Sequence, residues 1–396
     1  MQTKKSNLTL KIAVLSISLV TMFNAFISPA LAQVGAAFPE ASPTAIQLIM
    51  TFAMFGSFPM TLITGALASK VRAKVIVVGA MISLLVGGFF PVFFHGSLGL
   101  LYLSAFLIGL GQGALMTMMG TLISGLFDAE ERPRMFGLQS SVQNIGNMVT
   151  VALAGVLAAS QWHHVFFTTF LAVPTLVCLL LWLPGGRSPA EEAAGQNAPK
   201  GSALPPTAAW PVAIFILLFT VGFATNILNS AMLLATTGMG NSAVTGILNS
   251  LATLGGIVAG LAYKRIIGLS KQYVLVLAAA LVAGGLFLAG NAANIWVYFV
   301  GALLIGAGFT IGFSGGMDCI SRVVRPEQIP TAMGLFMAAQ ALASMVSPYV
   351  INSLTSLVFG KDYGIRSVYN TAGVYILAVL VYCAVWGVSN RRHFQK

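Results

Sequence analysis

The chain has 396 residues, of which 57% are hydrophobic and 7% are charged, with a formal net charge of +11. A soluble protein carries roughly 25% charged residues, which would be about a hundred in a chain of this length. The sequence has 20 Lys and Arg and 9 Asp and Glu, too few to cover a water-facing surface. The composition excludes a soluble enzyme, a nucleic-acid-binding protein and a secreted disulfide-linked scaffold.

Apolar segments separated by charged or Gly, Pro and Asn breaks predict twelve membrane spans. Each span must be a helix, because every backbone N–H and C=O has to be satisfied inside the hydrocarbon. The predicted fold class is therefore an all-α membrane protein with 12 transmembrane helices. The predicted spans, in chain order, are 10–32, 44–68, 74–94, 98–126, 134–158, 162–183, 210–235, 243–264, 272–290, 294–320, 329–356 and 367–389.

The first apolar segment has a second interpretation. Basic residues precede it and it ends in Ala30-Leu31-Ala32, which is typical of a secretory cleavage site. However, the segment has about 20 apolar residues, whereas the apolar region of a signal peptide has about 7–15. Cleavage would also leave an odd number of spans, so we predict a membrane span here.

Basic residues predict the orientation of the spans. All lysines and arginines except Lys361 and Arg366 fall in alternate loops or at the termini, which the positive-inside rule places in the cytoplasm. A Pro-, Gly- and Ala-rich segment, 184–209, reads as a cytoplasmic linker. The predicted domains are an N-terminal six-helix bundle, 1–183, and a C-terminal six-helix bundle, 210–396.

The two predicted bundles contain an internal repeat. A shift of 197 residues aligns Leu107-Ile108-Gly109-Leu110-Gly111 with Leu304-Ile305-Gly306-Ala307-Gly308, and Gln143 with Gln340. An even number of spans per half gives both halves the same orientation, so the repeats are parallel. Parallel repeats predict a substrate site near the bilayer midplane, where the halves meet.

With these features the chain resembles the major facilitator superfamily, most closely in layout its bacterial 12-span drug and metabolite porters. The loop after the second span, Gly65-Ala-Leu-Ala-Ser69-Lys-Val-Arg72-Ala-Lys74, keeps part of the loop motif of that family. Ser69 stands where the family has an acidic residue, and Arg72 where it has a glycine. Gly109 occupies the position of an arginine in the drug/proton antiporters of the family, so the charged antiporter motifs are absent.

The resemblance implies that spans one, four, seven and ten surround a cavity, with help from spans two, five, eight and eleven. The polar residues of these spans are almost all neutral, and several recur at helical spacing on one face. The alternative role of such residues is hydrogen bonding between helices. The candidate substrate-binding residues are Asn24, Ser28, Gln112, Met116, Gln143, Asn147, Asn226, Asn229, Phe313, Gln340 and Ser344.

Asp318 is the one acidic residue placed within a predicted span. One interpretation is a protonatable carboxylate that couples transport to protons. The other is an i,i+4 ion pair with Arg322 near the cytoplasmic end of the helix.

Residues near the cytoplasmic side, most of them charged, are candidates for a gate. They are Gly65, Ser69, Lys70, Arg72, Lys74, Glu130 and Arg132.

Together these features predict a secondary transporter that works by alternating access on a small neutral or weakly charged organic solute. The family resemblance favours export of drugs or metabolites, with uptake of a small nutrient as the alternative and a non-transporting sensor or scaffold as a third possibility. No enzymatic activity, cofactor, metal or nucleic-acid partner is expected. The predicted protein is a functional monomer in a bacterial inner membrane, with both termini in the cytoplasm.

Overall fold

The structure is a computed structural model that describes every residue except 1, 22–26, 28–29, 42, 69, 159, 185–205, 241, 361–362 and 390–396. Three predicted site residues, Asn24, Ser28 and Ser69, lie outside the described residues. The described part of the chain is helical and contains no strand, which confirms the all-α prediction.

Thirteen α-helices occur in the described ranges, and all but one of them correspond to predicted spans. Short 3-10 segments lead into several of them, at Trp162–Leu171, Thr207–Ala209, Lys271–Tyr273 and Pro326–Gln328. The helices are α1 (Gln2–Val20), α2 (Leu31–Ala37), α3 (Pro43–Leu67), α4 (Ala73–Phe93), α5 (Leu98–Leu126), α6 (Arg132–Ala158), α7 (Ala172–Trp182), α8 (Trp210–Thr237), α9 (Ser242–Ser270), α10 (Val274–Gly290), α11 (Ile295–Val323), α12 (Ile329–Phe359) and α13 (Ile365–Ser389).

Ten stretches of the described chain are long and apolar enough to cross a membrane. One of them, Val244–Gly290, has 47 residues and covers both α9 and α10, so the ten stretches contain eleven helices. The shorter apolar helix Leu8–Val20 within α1 accounts for the first predicted span. The molecule is therefore a multi-pass membrane protein.

Two predicted spans differ from the structure. The predicted segment 10–32 is not one helix: α1 ends at Val20, and the separate helix α2 begins at Leu31. The sixth span begins as a 3-10 helix, Trp162–Leu171, in which the hydroxyls of Thr168 and Thr169 donate to carbonyl oxygens three residues back, at 2.7 and 2.6 Å. Apolar composition alone contains no signal for either feature.

The described helices form two compact units. Unit 1 comprises Met1–Asp128, Ile145–Pro206 and Arg325–Ala338, and unit 2 comprises Ala129–Asn144, Thr207–Val324 and Ala339–Lys396. Helices α6 and α12 each contribute residues to both units. The predicted division into two six-helix bundles, separated by the segment 184–209, is based on the sequence repeat and stays a prediction.

The repeat has matching helix contacts in the two units. In unit 1, Gly109 of α5 lies against the backbone of Ala53 in α3, so closely that an added Cβ would overlap the Ala53 carbonyl. In unit 2, Gly306 of α11 lies in the same way against the backbone of Ala252 in α9. Small residues allow such close approach of membrane helices.

A second pair of repeat glycines faces the next helix in each unit. A Cβ on Gly111 would lie 2.5 Å from the carbonyl oxygen of Ala80 in α4. A Cβ on Gly308 would lie 2.9 Å from the carbonyl oxygen of Ala278 in α10. The first Gly-x-Gly sequence therefore allows α5 to pack closely against α3 and α4. The second allows α11 to pack closely against α9 and α10.

Candidate substrate and gating residues

Asn226 of α8 belongs to a buried hydrogen-bonded group that the sequence did not indicate. Its Oδ1 lies 3.1 Å from the hydroxyl of Tyr298 in α11 and 3.4 Å from the hydroxyl of Tyr369 in α13. The two hydroxyls lie 2.8 Å apart, and both tyrosine side chains are fully buried. We call these three residues the Asn–Tyr–Tyr group.

The number of protons in this group determines the orientation of the Asn226 amide. One tyrosine donates to the other, and the second donates to Oδ1, so both hydroxyl protons have acceptors. With the amide reversed, its N–H would donate to a tyrosine and one hydroxyl proton would have no acceptor within the group. The carbonyl is therefore held by the tyrosines, and Nδ2 makes no hydrogen bond to any described residue.

The Asn–Tyr–Tyr group leads to a stability prediction. We expect Tyr298→Phe and Tyr369→Phe each to lower the melting temperature only slightly, because the remaining hydroxyl still donates to Asn226. The double variant leaves the buried carbonyl without a donor, which costs about 1–3 kcal/mol. Thermal melts of the two single variants and the double variant measure this coupling, and strictly additive shifts would contradict it.

Phe313, a candidate substrate-binding residue, is 3% exposed and packs into an aromatic cluster of α8 and α11. Its ring centroid lies 6.0 Å from that of Phe309, which stacks on Phe223 at 3.9 Å. The ring of Phe219 is also nearly parallel to that of Phe309, with their centroids 6.3 Å apart. Phe313 therefore has a packing role in unit 2.

The predicted polar stripe of α6 divides between the two units. Gln143 lies in unit 2, is 7% exposed and makes no side-chain hydrogen bond to a described residue. Asn147 lies in unit 1, and its Oδ1 is buried without a partner among the described residues. Gln139, one turn before Gln143, also has a buried Oε1 of this kind.

Residues missed by the sequence analysis hold the first part of α6 against its neighbours in unit 2. Ser140 and Ser314 share a hydrogen bond of 2.7 Å, and Ser314 also donates to the carbonyl of Phe136 at 3.2 Å. Ser141 donates to the carbonyl of Ile257 at 2.9 Å. Small neutral side chains gave no signal by which these contacts could have been found in the sequence.

Two other predicted residues bond to their own helices. Asn229 donates through Nδ2 to the carbonyl of Thr225 at 3.0 Å, and Ser344 donates to the carbonyl of Gln340 at 3.2 Å. The side chain of Gln340 is half-buried and makes no hydrogen bond to a described residue. Gln340 thus keeps its amide available, whereas Asn229 and Ser344 have local partners.

Two predicted residues lie on α5 in unit 1. The Nε2 of Gln112 donates to the backbone carbonyl of Thr21, which ties α5 to the end of α1. Met116 is half-buried one turn further along the helix.

The predicted ion pair of Asp318 and Arg322 is present. The Arg322 Nε donates to Asp318 Oδ2 at 2.8 Å, and the two side chains are 24% and 1% exposed, respectively. Asp318 is thus a buried carboxylate on α11, compensated by a cation one turn along the helix that reaches the surface.

The described gating candidates have different environments. Gly65 packs against α12 within unit 1, where an added Cβ would lie 2.9 Å from the carbonyl oxygen of Pro330. The Lys74 ammonium donates to the carbonyls of Leu180 and Leu183, at 2.7 and 2.9 Å, and so caps the end of α7. Lys70, Arg72 and Glu130 are exposed, whereas Arg132 is half-buried.

Three cavities in the described part of the chain are lined by residues other than the predicted substrate residues. One of about 10 Å³, lined by Ile49 and Leu101 among others, is too small for an organic solute. Another, of about 530 Å³, lies between the segments 37–41 and 96–98. The third, of about 300 Å³, includes Glu130 and three basic residues.

Comparison with protein families identifies the fold. The model of the Major Facilitator Superfamily matches residues 13–348, which is most of the chain. The chain belongs to the major facilitator superfamily. It is therefore a transporter of this superfamily, whose members are not enzymes.

Solved structures of the superfamily share this fold at low sequence identity. The human organic anion transporter MFSD10 is 16% identical, with 96% of this chain and 97% of that chain covered and a TM-score of 0.70. The transporter FucP in an outward conformation is 15% identical, with 95% and 98% covered and a TM-score of 0.75. The proton:xylose symporter XylE, bound to 6-bromo-6-deoxy-D-glucose, is 15% identical, with 97% and 96% covered and a TM-score of 0.73.

A comparison with curated proteins finds no match. The superfamily assignment therefore rests on the family model and on the shared fold, and it confirms the resemblance drawn from the 6+6 layout and the repeat.

Proposed function

We propose that this transporter moves a small neutral or weakly charged organic solute by alternating access. The observation that carries the proposal is the neutral chemistry of the Asn–Tyr–Tyr group. It leaves the amide N–H of Asn226 as a donor, which suits a hydroxyl or carbonyl oxygen of a solute. The free amides of Gln143 and Gln340 add donors and acceptors of the same neutral kind.

The charges of the described spans support the same solute class. Asp318 is the acidic residue buried within a span, and it is already paired with Arg322. An obligately anionic or cationic solute would have to enter a low-dielectric region without an unpaired counter-charge, which is costly. The relatives with known structures include sugar symporters and an organic anion transporter, and the neutral side chains favour the sugar-like chemistry among these.

The proposed donors lead to a direct test. A thermal-shift screen of sugars, polyols, nucleosides, organic acids and amines identifies a solute, because bound solute raises stability in proportion to ln(1 + [L]/Kd). We expect Gln143→Ala and Gln340→Ala each to weaken its counterflow in proteoliposomes by about tenfold, the worth of one hydrogen bond.

The matched control is Thr355→Ala, because the buried Thr355 hydroxyl already bonds to the carbonyl of Ile351 in its own helix, at 2.7 Å. We expect that variant to transport normally. Unchanged transport by both glutamine variants would remove Gln143 and Gln340 from the site. Exclusive binding of strongly charged compounds would contradict the proposed solute class.

We propose that the protein exports its solute, because it resembles the drug and metabolite porters of the family. We also propose that it lies in a bacterial inner membrane, with both termini in the cytoplasm. Uptake of a small nutrient is the alternative. Increased drug sensitivity of a deletion strain supports export, whereas loss of growth on one nutrient supports uptake. A sensor or scaffold would transport nothing in proteoliposomes.

A further inference from the structure

We propose that the cavity of about 300 Å³ in unit 2 binds the phosphate headgroup of an anionic phospholipid. It is lined by Ala129, Glu130, Pro133, Lys264, Ile267, Gly268, Lys271 and Arg322. These residues come from the segment before α6 and its first turn, the end of α9 with the turn after it, and the end of α11. We call this cavity the basic cavity.

The charges of the basic cavity favour an anion. Arg322 is already neutralised by Asp318 at 2.8 Å. Lys264 and Lys271 are exposed and make no ion pair with any described residue, and they face one carboxylate, Glu130. The cavity thus retains an excess of one positive charge, carried by two lysines that have donors to offer a phosphate oxygen.

The backbone at Lys271 has a conformation that residues other than glycine rarely adopt. Its φ is 47°, in the left-handed region, and it is the one described non-glycine residue with a positive φ. A glycine would be the default residue at such a position. The chain nevertheless has a lysine there, at the edge of the basic cavity.

The outer face of α9 indicates that the phosphate belongs to a lipid. Leu254, Val258 and Leu261 are exposed apolar residues that follow each other at four- and three-residue spacing. Gly268 continues this helical face to the cavity, and Lys264 lies beside it, three residues after Leu261. Lys271 follows directly after the end of α9 and also lines the cavity. An apolar stripe that leads into a basic cavity fits an acyl chain joined to a phosphate, whereas a free phosphate would use only the cavity.

The test uses the purified full-length protein in neutral detergent. Dioleoylphosphatidylglycerol is compared with dioleoylphosphatidylcholine, inorganic phosphate and glycerol 3-phosphate, with the shift in melting temperature and the retained lipid as measurements. We expect a saturable stabilisation by phosphatidylglycerol that weakens with salt and is much larger than for the other three compounds.

Variants that change the charge of the basic cavity in opposite directions test whether this cavity is the binding site. We expect the double variant Lys264→Gln/Lys271→Gln to weaken phosphatidylglycerol binding about 30-fold, because each lysine contributes about 1 kcal/mol to the attraction of an anionic lipid. Glu130→Gln removes the opposing carboxylate and should tighten binding. Arg265→Gln is the matched control, because Arg265 is an exposed cation next to Lys264 that does not line the cavity.

Unchanged binding by the double lysine variant, or an equal loss in Arg265→Gln, would overturn the basic cavity as the binding site. Stabilisation by inorganic phosphate as large as that by phosphatidylglycerol would overturn the lipid as the source of the phosphate. Equal binding of phosphatidylcholine would overturn the requirement for net negative charge. None of these results depends on the transported solute, so they leave the proposed transport function unaffected.

Discussion

Gly306→Ala is expected to lower the melting temperature of the protein by about 1–4 °C. The added methyl group would overlap the backbone carbonyl of Ala252, and a backbone atom cannot rotate away as the end of a side chain can. Helices α9 and α11 would have to separate, and overpacking of this kind costs about 1–3 kcal/mol, occasionally more. Gly109→Ala should have the same effect through the carbonyl of Ala53 in unit 1.

The matched controls are Gly284→Ala in α10 and Gly155→Ala in α6, where an added Cβ meets no atom within 4 Å. Alanine is the better helix former by about 1 kcal/mol, so these controls should be neutral or slightly stabilising. The opposite signs separate helix contact from helix propensity. A loss of stability in the controls as large as in Gly306→Ala would contradict the proposed role of close packing.

Arg322→Ala is expected to be the most destabilising single change at the buried ion pair. It leaves the Asp318 carboxylate, which is 1% exposed, without its cation, and breaking a buried pair in this way costs about 3–5 kcal/mol. Asp318→Asn should cost less, because Arg322 is 24% exposed and can reach water. The double variant Asp318→Asn/Arg322→Ala should be more stable than Arg322→Ala alone, as measured by thermal melts.

The same variants test the two interpretations of Asp318. If the carboxylate couples transport to protons, Asp318→Asn abolishes uphill transport and leaves counterflow intact. If the ion pair only holds the end of α11, uphill transport persists in the folded variant. Asp128→Asn is the control, since Asp128 is an exposed acidic residue outside the spans. Equal stability of Arg322→Ala and the double variant would contradict the ion pair itself.

The local features of this protein could be predicted from the sequence. The spacing of Asp318 and Arg322 by four residues places them on one helical face in any register, and the pair is present. The Gly-x-Gly sequences at Gly109 and Gly306 are visible in the repeat, and both glycines lie in close helix contacts, with Ala53 and Ala252. The first predicted span corresponds to α1, but its end differs from the prediction, because apolar composition does not reveal that α1 ends at Val20.

The environment of the predicted site residues depended on tertiary contacts. Asn226 was a candidate from its polarity within a span, but nothing in the sequence linked it to Tyr298 and Tyr369. Those contacts depend on how three helices that are far apart in the sequence are rotated about their axes and shifted along them. Ser140 and Ser314 are another such pair, joined by a single hydrogen bond at 2.7 Å.

The amino-acid sequence by itself determined that this chain spans a membrane many times as helices, that its halves repeat, and that its spans hold almost no charge. These properties follow from composition and short-range spacing, which act within one helix. Only the tertiary structure decided which neutral side chains pair with each other and which make no hydrogen bond within the described part of the chain. Such pairing depends on the relative rotation of neighbouring helices, which side-chain packing sets and hydropathy does not encode.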